Sequence, residues 1–143
     1  PSVSTVSNAM DVGAPSNFER LQGMLSYSEI SENIWGTAVS DQETMLRMSA
    51  VSDRTGYIAD PHTAVGIEAI LRFRKEMGGR DKDPTVVLST AHPAKFPETI
   101  QKVLGTTAEE PERLSSLRSG ATRVQEIEPT QEALRQVVLA CEG

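Results

Sequence analysis

Val86-Val87-Leu88-Ser89-Thr90-Ala91-His92-Pro93-Ala94-Lys95-Phe96 opens with an apolar run, passes through two hydroxyls and turns at a proline. The run of Val86, Val87 and Leu88 has the pattern of a buried strand over residues 85–89. Beyond Pro93, the apolar residues Phe96, Ile100, Val103 and Leu104 recur at the spacing of one helical face. A strand followed by a helix gives an α/β fold class. In such folds ligands gather where the C-terminal end of a strand faces the next helix, because free N–H groups and the helix dipole favour anions there. Ser89, Thr90, His92 and Lys95 occupy that junction.

Upstream, the chain reads mostly as helix. Residues 1–15 form an extended lead-in without helical periodicity. Ser16-Asn17-Phe18-Glu19 has the spacing of a capping box, with Phe18, Leu21, Met24 and Leu25 as the apolar stripe of the helix it starts. Ile30, Ile34 and Trp35 predict a short second helix ended by Gly36. Ser40-Asp41-Gln42-Glu43 is a second capping box, opening a helix with Met45, Leu46, Met48 and Val51 that stops at Gly56. Asp60 then stands as N-cap with Pro61 at the first helical position, where a missing N–H costs nothing. The helix over 61–77 turns Ala64, Ile67, Ile70, Leu71 and Phe73 inward and ends at Gly78-Gly79.

Downstream, one helix runs from His92 to Leu104 and is stopped by Gly105. Residues 106–120 read as a surface excursion with a helical turn over 111–117, and 124–127 carry the pattern of a second short strand. A last helix starts at Pro129 with Leu134, Val137, Val138 and Cys141 on one side. One strand cannot make a sheet, so its edge is expected to need further chain.

The chain has 143 residues with 20 acidic and 14 basic side chains, a net charge of −6 that argues against a nucleic-acid surface. No run of about 18 apolar residues offers a membrane span. Neither is the charged, apolar and small-residue pattern of a signal peptide visible at the front. The lone Cys141 excludes an internal disulfide and fits a reducing cytoplasm. With three Phe, two Tyr and one Trp, the core rests on Leu, Ile, Val, Met and Ala.

Three separated stretches resemble one family in order. Ala9-Met10-Asp11 followed by Pro15-Ser16-Asn17-Phe18-Glu19-Arg20, then Asp60-Pro61-His62-Thr63-Ala64, then Ser89-Thr90-Ala91-His92-Pro93-Ala94-Lys95-Phe96, are similar to motifs of the threonine synthases. These are enzymes of pyridoxal 5'-phosphate fold type II that make threonine from O-phosphohomoserine. The resemblance implies that residues 1–143 are a single C-terminal portion of such an enzyme. The family's Schiff-base lysine and its phosphate-cradling Gly/Ser/Asn loop match nothing here. The isolated chain is therefore expected to be inactive, with no catalytic residue of its own, and to act with the N-terminal part or another chain. Its alternative is a non-catalytic interaction module that pairs with an N-terminal partner chain.

The same resemblance suggests residue roles. In this fold a Ser or Thr at the end of a late strand hydrogen-bonds the pyridine nitrogen of the cofactor. Thr90 is the expected contact, with Ser89 as the neighbouring alternative; both could instead simply end a strand or cap a helix. His92 and Lys95 are expected near the phosphate of substrate or cofactor, the alternative being a turn histidine and a solvated lysine in a first helical turn. Asp11 is expected either on the active-site side of the domain interface or as a turn-stabilising residue before Gly13. Asp60, His62 and His92 could be read as a metal set, but helix capping explains Asp60 and His62 more simply, so no metal is expected.

Overall fold

A computed structural model describes residues 2–78, 84–118, 120–122 and 124–140. Its contacts divide into one unit up to Glu109 and a second from Glu110 onward. The first unit contains five α-helices: α1 (Ser16–Met24), α2 (Tyr27–Asn33), α3 (Asp41–Thr55), α4 (Pro61–Glu76) and α5 (Pro97–Leu104). Short 3-10 turns occupy Asn8–Met10 and Pro93–Lys95.

Local chemistry accounts for the central helices. At the start of α3, Ser40 Oγ accepts the Glu43 N–H while the Glu43 carboxylate takes the Ser40 N–H at 2.8 Å, a complete capping box. Gly56 ends this helix at φ 72°, a left-handed conformation that glycine adopts without steric cost. Asp60 caps α4 and Pro61 takes its first position. Gly105 ends α5 at φ 65°. The three helices meet in one core, where Met48 of α3, Ala64 of α4 and Ile100 of α5 are fully buried, with Ile58, Val103 and Leu104 packed around them. Charge reinforces the α3–α4 contact. Arg47 Nη2 donates to Glu68 at 2.7 Å, and Arg72 reaches Glu68, Glu43 and the Ala38 carbonyl.

The expected α/β class is overturned. Among the described residues there are helices and no strands. Residues 85–89 form no strand, because a strand exists only through a ladder and no described segment supplies the second rail. Nor is the run buried as its composition suggests, since Val86 is 82% and Leu88 75% exposed. Only Val87 turns inward, into a groove lined by Trp35, Gly66, Ile70 and Phe73. Residues 124–127 form no strand either; their one turn-linked neighbour in sequence is helix α7 (Gln131–Ala140), with α6 (Glu112–Arg118) preceding them.

Other local expectations also change. Ser16 is not a cap: Pro15 takes the N-cap position of α1 with no side-chain bond, and the extra capping box stands at Ser26 and Glu29, at the head of α2. The expected stripe of α1 is largely outside, with Phe18 45% and Met24 79% exposed. Helix α2 ends at Asn33 with Ile34 as its C-cap, three residues short of Gly36. Leu46 and Leu71 face outward from α3 and α4. The helix expected to run unbroken from His92 is divided into the Pro93–Lys95 turn and α5, because Pro97 forces its predecessor Phe96 out of the helical region. Lys95 therefore ends a 3-10 turn rather than opening a helix. The helical turn expected at 111–117 is α6, and the last helix begins at Gln131, where Thr130 Oγ1 accepts the Ala133 N–H at 3.2 Å. Gly79 and Cys141 lie outside the described residues.

Candidate functional site

The candidate site forms where the first turn of α4 meets residues 89–96. Its foundation is Asp60, a fully buried carboxylate. Asp60 Oδ1 accepts the His62 N–H at 2.9 Å and lies 3.1 Å from His62 Nδ1, while Oδ2 accepts the Thr63 hydroxyl. This is more than capping requires. The same carboxylate fixes the backbone of the first turn and the side chains of both residues that follow Pro61.

The hydroxyls form a connected set. Thr63 Oγ1 has two acceptors for its one hydrogen, Asp60 Oδ2 and, at 3.1 Å, Ser89 Oγ. Ser89 Oγ donates to the Ala91 carbonyl at 3.5 Å and lies 3.4 Å from Tyr57 Oη, a contact that either hydroxyl can donate.

His62 forms the other contact with the turn. Its ring packs on Phe96 with centroids 5.0 Å apart and planes at 51°. With Nδ1–H directed at Asp60, Nε2 carries the lone pair, and it is buried with no hydrogen-bond partner among the described residues. An unpaired buried polar atom costs roughly 1–3 kcal/mol.

Thr90 stands between these contacts, exposed, and its hydroxyl has no partner among the described residues. His92 is exposed and accepts the Ala94 N–H at Nδ1 over 3.2 Å, which in the neutral ring leaves the proton on Nε2. Lys95 is exposed three residues further on. Asp11 lies in different surroundings: its carboxylate accepts the Thr5 N–H at 2.8 Å and the Thr5 hydroxyl at 2.7 Å, closing the loop around the Asn8–Met10 turn. Asp60, His62 and His92 do not assemble as a metal set, and among the described residues no group of three or more His, Cys, Asp or Glu does.

Sequence reasoning named Asp60 and His62 as helix-start residues and as part of a discounted metal set, and did not single out Thr63 or Tyr57. The available signal was Thr63 at the third helical position after Asp60; its partner Ser89 lies 26 residues away, beyond the reach of local spacing.

Residues 63–138 match the family model described as threonine synthase, C-terminal. The threonine synthase of Escherichia coli (strain K12) is 35% identical over 111 residues, which is 78% of this chain and 25% of that protein. That of Buchnera aphidicola subsp. Schizaphis graminum is 30% identical over 140 residues, covering 96% of this chain and 31% of the relative. A crystal structure of PLP-bound threonine synthase from Brucella melitensis superposes with a TM-score of 0.67 at 25% identity, over 96% of this chain and 34% of that one. The chain thus spans about a quarter to a third of the length of these relatives. It belongs to the threonine synthase family and corresponds to its C-terminal part.

Proposed function

We propose that this chain forms the part of a threonine synthase that meets the pyridine nitrogen of pyridoxal 5'-phosphate, through Thr90, in an enzyme that converts O-phospho-L-homoserine and water to L-threonine and phosphate. The observation that carries this reading is the exposed Thr90 hydroxyl, without a partner among the described residues, beside a Ser89 whose hydroxyl lies within hydrogen-bonding distance of Thr63, Tyr57 and the Ala91 carbonyl. Those contacts favour Thr90 over its neighbour.

The donor set fits the ring-nitrogen end of the cofactor. A neutral hydroxyl leaves the ring free to lose its proton, as a carboxylate would not, and this suits elimination at the β- and γ-carbons. When bound, the cofactor supplies the electron sink for that chemistry. His92 presents Nε2–H and Lys95 a cation, both suited to an anionic phosphate. Asp11 suits that role least, because both its oxygens already accept from Thr5 and its charge would repel phosphate. The covalent attachment and the phosphate cradle are left to the remainder of the enzyme, and the isolated chain is inactive on this reading. A cytoplasmic setting belongs to the same proposal.

The test is a cofactor titration of an intact threonine synthase containing this chain. Thr90→Val is expected to weaken PLP binding about tenfold and shift its absorption band, while Thr90→Ser restores both. Unchanged affinity and spectrum in Thr90→Val would overturn the assignment. Turnover of O-phosphohomoserine by the isolated 143-residue chain would overturn the claim of inactivity.

One observation favours a second reading, a non-catalytic module that pairs with an N-terminal partner chain. The run at 85–89 exposes Val86 and Leu88 to solvent, an apolar surface on which another chain could pack. Mixing the chain with the complementary part of a threonine synthase separates the two: restored turnover supports the enzyme reading, and binding without turnover supports the module.

A further inference from the structure

We propose that the first turn of α4 is a positioning device for the Thr90 hydroxyl, in which Thr63 and His62 grip the two ends of residues 89–96 and Asp60 holds both of them. The inference rests on the reading of Thr90 given above. It concerns residues that touch neither cofactor nor substrate.

The geometry points to two grips on one turn. At one end, Thr63 Oγ1 lies 3.1 Å from Ser89 Oγ, directly before Thr90. At the other, the His62 ring packs 5.0 Å from the ring of Phe96. The residues between them fold into a tight turn, with Lys95 N–H donating to the His92 carbonyl at 3.0 Å and Phe96 N–H to the Pro93 carbonyl at 2.9 Å. Ala94 is buried beneath it. Thr90 itself makes no side-chain bond among the described residues that would orient it, so its position is inherited from its neighbours.

Asp60 makes the two grips interdependent. Its two oxygens are divided, Oδ1 to the backbone N–H groups of His62 and Thr63 and the His62 ring, and Oδ2 to the Thr63 hydroxyl. The Thr63 side chain cannot turn away without leaving the buried Oδ2 short of its donor, and the His62 ring is tied to the same carboxylate. The orphaned His62 Nε2 is consistent with a ring held for its orientation at the expense of a second hydrogen bond. Thr63 and His62 thus act through Ser89 and Phe96, and a site precise to a fraction of an ångström needs such a supporting layer.

The test uses an intact threonine synthase containing this chain and compares Thr63→Val, Thr63→Ser, Phe96→Leu and Thr90→Val. Two quantities are measured: amide hydrogen exchange at Ala94, Lys95 and Phe96 in the cofactor-free protein, and affinity and absorption spectrum in a PLP titration. Thr63→Val and Phe96→Leu are each expected to speed that exchange about tenfold and weaken PLP about tenfold, while Thr63→Ser restores both. Exchange and affinity unchanged in Thr63→Val, with PLP weakened by Thr90→Val, would overturn the positioning role alone. No effect of Thr90→Val on PLP would remove the reading of Thr90 and this proposal with it. Should Thr63→Val fail to fold, Phe96→Leu carries the same comparison from the other end of the turn.

Discussion

Val87 rests directly on the bare backbone of Gly66: a Cβ added to that glycine would stand 2.9 Å from Val87 Cγ1. This close approach is how an extended segment with no ladder stays against α4. Valine is stiff about χ1, so the methyl cannot simply swing aside. Gly66→Ala improves helix propensity by about 1 kcal/mol yet displaces the segment. The expected result is little net change in unfolding free energy, together with a change in the fluorescence of Trp35, which lines the same groove. An unchanged Trp35 spectrum would show that the segment absorbs the methyl in place.

Core packing gives a larger effect. Ile100 is fully buried where α3, α4 and α5 meet. Ile100→Ala is expected to cost about 2–5 kcal/mol and Ile100→Val about 1 kcal/mol, read from urea unfolding of the chain. A cost under about 1 kcal/mol for the alanine variant would mean that α5 contributes little to this core.

Two of the three serines at S-x-x-E spacings near the front, Ser16 and Ser40, separate pattern from structure. Ser40→Ala removes an observed capping bond and is expected to cost about 1 kcal/mol. Ser16→Ala removes none, and its effect is expected within about 0.5 kcal/mol. Paired denaturation curves test both; equal losses would restore Ser16 as a cap.

Acid is expected to destabilise the α3–α4 pair. Burial pushes the Glu68 carboxyl up, but hydrogen bonds and charge from Arg47 and Arg72 outweigh it and hold the group below its ordinary value. Glu43 is held low chiefly by the Ser40 hydroxyl and amide, with Arg72 adding to them. A carboxyl lowered in the folded state contributes stability that is complete above its unfolded value and is lost as pH falls through the folded one. The urea midpoint should therefore drop on acidification below the ordinary carboxylate range. Glu68→Gln should lower the unfolding free energy at neutral pH by about 0.5–1 kcal/mol and flatten the pH dependence. The same acid slope in variant and parent would exclude Glu68 as a source.

How much of this could be read from the residues depends on the range of the cause. Ser40, Gly56, Asp60, Pro61 and Gly105 act within one helical turn, and each stands where its local chemistry demands. The run at 85–89 has the composition of a buried strand, but strandedness belongs to a pair of segments, and no second segment joins it among the described residues. Pro97 split the expected helix through a rule that is itself local; the periodicity of Phe96, Ile100 and Val103 masked it. Of the candidate site, Thr90, His92 and Lys95 share one contiguous motif and can be picked out by eye. The Thr63–Ser89 and His62–Phe96 contacts were not, since they join residues 26 and 34 positions apart.

Those two contacts make the stretches Asp60-Pro61-His62-Thr63 and Ser89-Thr90-Ala91-His92-Pro93-Ala94-Lys95-Phe96 a single unit of exchange. A chimera that takes one stretch from a distant relative and keeps the other would set unfamiliar side chains on both faces of the same joint. Anyone recombining such enzymes has a rule for where to cut: between residues 105 and 112, after α5 and both halves of the joint have been passed, and never between α4 and the turn it holds.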